Sequence, residues 1–119
     1  MKRFSQALYG LTGAGAIGAG LIGLLSPDLV LGDAASSGLV AHLAREQAAG
    51  FVFIGLMAIW CLRHYEQRRP VHYAFVIFTA LFAGIHWAGY FQSGHYIAAA
   101  LANTVPFVAF LVTAPWKTA

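Results

Sequence analysis

The sequence predicts an all-α integral membrane protein, a bundle of four transmembrane helices that runs up, down, up and down through the bilayer. Of its 119 residues, 60% are hydrophobic and only 9% are charged, whereas an ordinary soluble domain carries about 25% charged residues. So few charges cannot cover a surface that faces water on all sides, and lipid suits the remaining apolar surface. Four apolar stretches of about 20 residues, the length that crosses a bilayer, follow one another in a single domain: about 6–25, 43–62, 71–91 and 96–114.

The first span is rich in glycine and follows a basic N-terminus. A basic start before an apolar stretch is also typical of a signal peptide, but the apolar stretch here is longer than the usual core of about 7–15 residues. We therefore interpret it as a retained helix. Gly10, Ala14 and Gly18 are spaced four residues apart, which lets membrane helices approach closely. This stripe predicts packing against the protein's own helices, or association with a second copy or with other membrane subunits.

Turn-forming residues separate the spans. Pro27 predicts the end of the first helix, because proline disfavours helix in the residue before it, and residues 26–37 are expected to form a loop. Pro70 follows the polar sequence RHYEQRR and suits the first turn of the third helix. The short sequence QSGH predicts a tight turn into the fourth span.

The basic residues predict the orientation of the four spans. All of them except Arg45 fall on one side, and the positive-inside rule places that side in the cytoplasm. Both termini and the middle loop are therefore expected in the cytoplasm, with the protein in a bacterial inner membrane. The sequence has no basic cluster interleaved with aromatics that would indicate a nucleic-acid partner. The residues that set the orientation are Lys2, Arg3, Arg63, Arg68, Arg69 and Lys117.

The second span begins with ionisable residues. Its purely apolar part, residues 48–62, would reach about 22 Å as a helix, short of a hydrocarbon core about 30 Å thick. The helix is therefore expected to extend back to about residue 43. This extension draws Arg45 and Glu46 into the outer interface, with His42 at its edge. His42 and Glu46 are four residues apart and therefore share one helical face. Charged side chains at that depth face protein or water, because lipid leaves them unpaired.

The outer ends of the third and fourth spans carry further polar residues. His86 and Tyr90 are four residues apart on one helical face, and His95 begins the fourth span. Asn103 lies about 12 Å deeper along that span. The sequence therefore predicts a site in the outer half of the bundle, with seven residues that could converge: His42, Arg45, Glu46, His86, Tyr90, His95 and Asn103.

Four interpretations of this site stay open. In the first, the polar residues only pair with one another and fix the helix register. In the second, the site binds a quinone or a lipid headgroup through a histidine, an aromatic ring and an arginine. In the third, it holds a metal or haem b, with His42 and His86 as the two axial ligands. In the fourth, Glu46 serves proton-coupled transport.

The remaining histidines and the one cysteine are assigned no chemical role. Cys61 stands alone, which excludes an internal disulfide and a CxxC motif. His64 and His72 flank the charged loop on the cytoplasmic side, and both are expected to be solvated.

The function favoured by the sequence is that of a non-enzymatic accessory or partner-binding membrane subunit, with a quinone-, haem- or metal-binding redox protein as the alternative.

The layout resembles that of the DoxX-like small bacterial membrane proteins. The shared features are Pro27 after the first span, the arginine-containing LAREQAAG at the start of the second, and the glycine-rich FAGIHWAGYFQSG at the end of the third. This chain has Gly89 and Tyr90 where such proteins tend to have an arginine, and Asn103 where they often have an acid. The resemblance implies a four-helix membrane bundle, and for some relatives an association with quinone-linked oxidoreductase complexes.

Overall fold

The protein is mostly helical in the part that its structure, a computed structural model, describes: residues 1–116, with residue 35 described by its backbone alone. No β-strand occurs in that range, which confirms the predicted all-α class. The terminal basic residue used for the orientation, Lys117, lies outside the described residues. The α-helices are α1 (Lys2–Leu25), α2 (Pro27–Leu31), α3 (Gly38–Arg63), α4 (Arg69–Ser93) and α5 (Ile97–Thr113), with 3₁₀ helices at Gly32–Ser36 and Tyr65–Gln67.

Three of these helices are long and apolar enough to cross a membrane. α1, α3 and α4 have 24, 26 and 25 residues, so each exceeds the length of about 30 Å that a hydrocarbon core requires. α5 is apolar but has 17 residues, which corresponds to about 26 Å. The fold is therefore that of a small helical protein compatible with insertion into a membrane.

The stretch from residue 26 to residue 37 is mostly helical, so the expectation of a loop is wrong there. Pro27 opens α2 in its first turn, where the fixed φ of proline suits a helix and its missing N–H is not needed. Gly32, with φ of 55°, ends α2. The 3₁₀ helix that follows is closed by a hydrogen bond of 2.8 Å from Ser36 Oγ to the Asp33 carbonyl.

The contacts of the chain group into two compact units. One, called here the α1–α3 unit, is Tyr9–Arg63. The other, the α4–α5 unit, joins Met1–Leu8 to the chain from His64 onward. The α1–α3 unit thus contains most of α1 with α2 and α3, and the α4–α5 unit contains α4 and α5.

Within the α1–α3 unit, α1 and α3 approach closely where both helices carry glycine. A Cβ atom added to Gly20 would lie 2.7 Å from the Ala48 carbonyl oxygen and 2.9 Å from the Val52 nitrogen. A Cβ added to Gly55 would lie 2.9 Å from the nitrogen of Ile17. Neighbouring backbone atoms therefore leave room for glycine alone at these positions, which is how small residues bring membrane helices together.

The stripe that the sequence singled out on α1 lies on another side of the helix. A Cβ added to Gly10 or Gly18 would meet nothing within 4 Å, and Ala14, between them, is exposed. The glycines of α1 that pack against α3 are Gly13, Gly20 and Gly23. The expected close packing against the protein's own helices is therefore present, but through different glycines.

The core of the α4–α5 unit contains a histidine that the sequence analysis expected to be solvated. His72 is fully buried, so that expectation is wrong. Its Nε2 donates a hydrogen bond of 2.8 Å to the carbonyl of Phe110, whose ring also stacks on Phe75 with centroids 5.0 Å apart. The bond supplies a donor to a carbonyl near the C-terminal end of α5, where carbonyls lack backbone partners within the helix.

The turn between α4 and α5 uses two left-handed residues. Gly94, with φ of 70°, ends α4 and donates its N–H to the Tyr90 carbonyl at 2.7 Å. Tyr96, with φ of 67°, precedes α5. A left-handed glycine after the last helical turn is a common helix ending. The predicted tight turn is present, but it begins at Gly94, because the Gln and Ser of QSGH still belong to α4.

Candidate functional site

Three of the seven predicted site residues lie near the start of α3, in the α1–α3 unit. The His42 Nε2 and Glu46 Oε1 atoms are 3.2 Å apart, as their spacing of four residues predicted. The side chains of this ion pair are 68% and 63% exposed, and Arg45 is exposed as well. An ion pair with that exposure contributes little to stability, so the pair does not explain why these residues are present.

A cavity of about 350 Å³ lies in the same unit. Its volume is at the lower end of the range of small-molecule sites, about 300–1,000 Å³. Its lining is apolar apart from the side chain of Gln47, which the sequence analysis did not assign to the site. The lining residues are Ala19, Ile22, Gly23, Pro27, Val30, Leu31, Ala44, Gln47, Ala48 and Phe51.

The position of Gln47 follows from helical spacing. The cavity residues of α3 recur at intervals of three, one and three: Ala44, Gln47, Ala48 and Phe51. Residues at such intervals share one face of a helix. Gln47 is therefore the polar member of an otherwise apolar face, a signal that was present in the sequence. An amide in such a place both donates and accepts hydrogen bonds.

The other four predicted residues lie in the α4–α5 unit. His86 Nδ1 donates to the Phe82 carbonyl at 2.8 Å. Asn103 Nδ2 donates to the Ala99 carbonyl at 2.8 Å. Both bonds are made within the residue's own helix. Tyr90 is half-buried and His95 is exposed.

The structure brings few of these side chains into direct contact. Among the described residues of the α4–α5 unit, no hydrogen bond joins any two of its four predicted site residues. In the α1–α3 unit, the ion pair of His42 and Glu46 is a direct contact. The convergence of all seven residues stays a prediction.

A hydrogen bond between Trp87 of α4 and Thr104 of α5 was not predicted from the sequence. Trp87 Nε1 donates to Thr104 Oγ1 at 2.9 Å, and Thr104 Oγ1 in turn donates to the Ala100 carbonyl at 2.8 Å. Trp87 and Thr104 lie about two helical turns on either side of the turn between the helices. That equal separation from the turn, together with the need of a half-buried indole N–H for an acceptor, could have indicated the pair.

The described side chains show no ready-made metal centre. Within residues 1–116, no group of three or more His, Cys, Asp or Glu side chains is placed to hold a metal ion. The fold and these sites define a helical protein with three helices capable of spanning a membrane. No family model, curated protein or solved structure matches the chain, and the resemblance to DoxX-like proteins stays an expectation.

Proposed function

We propose that the protein is an integral membrane protein of the bacterial inner membrane that acts as a non-enzymatic accessory or partner-binding subunit. In this proposal all four long helices cross the bilayer, with α5 as the fourth span and both termini in the cytoplasm. The apolar character of α5 supports a fourth crossing. The placement of the basic residues supports the orientation, because with four spans all of them except Arg45 fall on one side, which the positive-inside rule assigns to the cytoplasm.

The open glycine face of α1 carries the proposal that the protein binds a partner. One side of α1 uses its glycines to contact α3, whereas positions 10 and 18 have open space where a side chain would begin. In a membrane, surfaces of small residues allow a second helix to pack at close range. We propose the stripe Gly10, Ala14 and Gly18 as the surface that receives a helix of another membrane subunit or of a second copy.

The test compares the exposed residues Ala14 and Ala49 as leucine variants in native membranes. Ala14→Leu places a large side chain in the stripe, whereas Ala49→Leu adds the same volume to an exposed position of α3. We expect Ala14→Leu to lower the crosslinked fraction of the protein about tenfold, because helix association in membranes depends on close packing. Equal crosslinking in both variants, or a monomer in native membranes, would refute the proposed surface.

A second function, the binding of a quinone, is favoured by the cavity of the α1–α3 unit. The cavity is apolar with one amide, Gln47, and pockets for small ligands typically combine an apolar lining with a few polar groups. Arg45 and Glu46 precede Gln47 in the same turn of α3. The amide and the guanidinium are suitable donors for a quinone carbonyl.

Filling the cavity tests this second function. We expect Ala44→Leu, at a residue that lines the cavity, to weaken quinone binding in detergent, whereas Ala49→Leu leaves it unchanged. Equal affinity in both variants would exclude the cavity as the site. The haem interpretation has its own readout: a Soret band lost in both His42→Ala and His86→Ala would support it, and a colourless purified protein would end it.

A further inference from the structure

The loop between α3 and α4 and the start of α1 contribute positive charges that lie against aromatic rings in the α4–α5 unit. We call this group the tyrosine–cation cluster: Lys2, Tyr65, Arg68, Arg69 and Tyr73. None of these residues belongs to the site predicted from the sequence. The cluster lies beside α4, one of the helices capable of spanning a membrane.

Tyr65 holds two of the cations. The guanidinium carbon of Arg68 lies 3.5 Å from the centre of the Tyr65 ring, and Arg68 Nη1 donates to the Tyr65 carbonyl at 2.6 Å. Lys2 Nζ lies 5.1 Å from the centre of the same ring. A cation within about 6 Å of an aromatic ring is attracted to its face. The stack and the hydrogen bond together fix the orientation of the Arg68 guanidinium.

Arg68 has more donors than the described residues satisfy. Its Nε is buried and has no hydrogen-bond partner among residues 1–116. A guanidinium carries five N–H donors and no acceptor, so the carbonyl of Tyr65 satisfies a small part of its capacity. Arg68 as a whole is half-buried, so an oxyanion would meet the donors of its Nη atoms and not the enclosed Nε. An oriented guanidinium suits an oxyanion with several acceptor oxygens, because its planar fork matches such groups.

The charges around Arg68 also favour an anion. Glu66 is the acid nearby, and its Oε1 pairs with Lys2 Nζ at 3.3 Å. The side chains of that pair are 62% and 83% exposed, so it is weak and screened by salt. Arg69 adds another cation, 5.7 Å from the centre of the Tyr73 ring. Among the described residues 1–116, the Glu66 carboxylate is the one that pairs with this group, so most of its positive charge is uncompensated there.

Aromatic residues continue the cluster at the same end of the unit. Tyr73 donates its hydroxyl to the Pro115 carbonyl at 2.9 Å, and its ring lies 5.6 Å from the ring of Trp116. Tyrosine and tryptophan concentrate at the headgroup level of membrane proteins. In a membrane protein, cations held among such rings are typical of the depth at which lipid phosphates lie.

We infer that the tyrosine–cation cluster binds the headgroup of an anionic phospholipid, whose phosphate contacts Arg68 while Lys2 and Arg69 flank it. This inference rests on the proposed insertion into a membrane, but on neither the number of spans nor their orientation. Basic pockets beside membrane helices recognise anionic headgroups in this way. The site differs from a diffuse positive surface because Tyr65 fixes the central guanidinium in one place.

The test measures lipid retained by the full-length protein in detergent micelles, using native mass spectrometry. Phosphatidylglycerol and phosphatidylcholine with the same acyl chains are supplied at equal concentration, and we expect selective retention of phosphatidylglycerol. Arg68→Gln should reduce that selectivity about tenfold, because a charge-assisted hydrogen bond is lost. Lys2→Gln should reduce it about fivefold. Arg63→Gln, the same charge change at an exposed arginine outside the cluster, should leave it unchanged.

A variant with the opposite sign separates binding from misfolding. Glu66→Gln removes the carboxylate that pairs with Lys2, so we expect it to increase the retention of phosphatidylglycerol about twofold to fivefold. A damaged fold cannot produce that gain. Reduced or unchanged retention in Glu66→Gln, or an effect of Arg68→Gln no larger than that of Arg63→Gln, would overturn the inference.

Two further measurements distinguish a lipid headgroup from free phosphate and test membrane insertion independently. Inorganic phosphate should not displace the lipid at millimolar concentration, and displacement would assign the cluster to free phosphate, which overturns the inference. An alkaline wash of membranes tests insertion by itself. Release of the protein by the wash would refute the proposed membrane function, whereas the micelle measurement reports on the headgroup site directly.

Discussion

Gly20→Ala tests the close approach of α1 and α3. The added methyl carbon would lie 2.6 Å from Val52 Cγ2, 2.7 Å from the Ala48 carbonyl oxygen and 2.9 Å from the Val52 nitrogen. The valine methyl could rotate away, but the two backbone atoms cannot move unless α3 shifts. Gly15→Ala is the matched control, because a Cβ added to Gly15 on the same helix meets nothing within 4 Å.

The expected magnitude follows from two opposing effects. Alanine favours the interior of a helix over glycine by about 1 kcal/mol, and this gain applies equally to both variants. Overpacking at position 20 costs typically about 1–3 kcal/mol, and this cost applies to Gly20→Ala alone. The free energy of unfolding of Gly20→Ala should therefore be about 1–3 kcal/mol lower than that of Gly15→Ala.

Unfolding in mixed micelles, followed by tryptophan fluorescence and circular dichroism, measures this difference. The comparison between two alanine variants removes the shared propensity gain. If Gly20→Ala proved as stable as Gly15→Ala, the backbones of α1 and α3 would not be in contact at position 20. Close packing of these helices through glycine would then be refuted.

Other substitutions test the α4–α5 unit by the same unfolding assay. Thr104→Val keeps the side-chain shape but removes the acceptor of the Trp87 indole N–H, so we expect the free energy of unfolding to fall by about 1–2 kcal/mol. Adding Trp87→Phe to this variant should recover part of that loss. Fully additive losses in the double variant would contradict the pairing. His72→Leu removes a buried donor from the Phe110 carbonyl and should cost about 1–3 kcal/mol. His95→Leu, at an exposed histidine, should stay within about 0.5 kcal/mol, and equal effects at both histidines would contradict the burial of His72.

The class and several helix ends were readable in the sequence because single residues determine them locally. Low charge and high apolar content predicted helices able to cross a membrane. Pro70 lies in the first turn of α4 and Gly94 ends that helix, as their backbone preferences require. Residues 26–37 were misjudged because proline and glycine disfavour a long helix but permit short ones.

The burial of His72 was missed because the segment that precedes it, RHYEQRRP, is polar and charged. Its neighbours on the helix are different: the buried residues of α4 are His72, Phe75, Thr79 and Ala83, which recur at helical intervals on one face. That periodicity places His72 on the face that packs against α5. The charged loop before His72 suggested that the residue is exposed, whereas its position on the buried face of α4 determines its burial.

The candidate site was less predictable than the helices. Helical spacing correctly paired His42 with Glu46, because both lie on one element. The bonds of His86 and Asn103 to carbonyls of their own helices were not anticipated. The cavity of the α1–α3 unit also depends on how α2 folds beside α1 and α3, and no local pattern in the sequence specifies that arrangement.

The unequal helix lengths have a consequence for the choice of bilayer. α5 has 17 residues, whereas α1, α3 and α4 have 24 to 26. If all four cross the same membrane, the three long helices must tilt or extend beyond the hydrocarbon core. α5 must instead lie nearly parallel to the bilayer normal, or the bilayer must become thinner around it. Such hydrophobic mismatch costs fractions of a kcal/mol per Å. The protein should accordingly be most stable in bilayers of lipids with short acyl chains. In thicker, sterol-rich bilayers the mismatch at α5 would lower its stability.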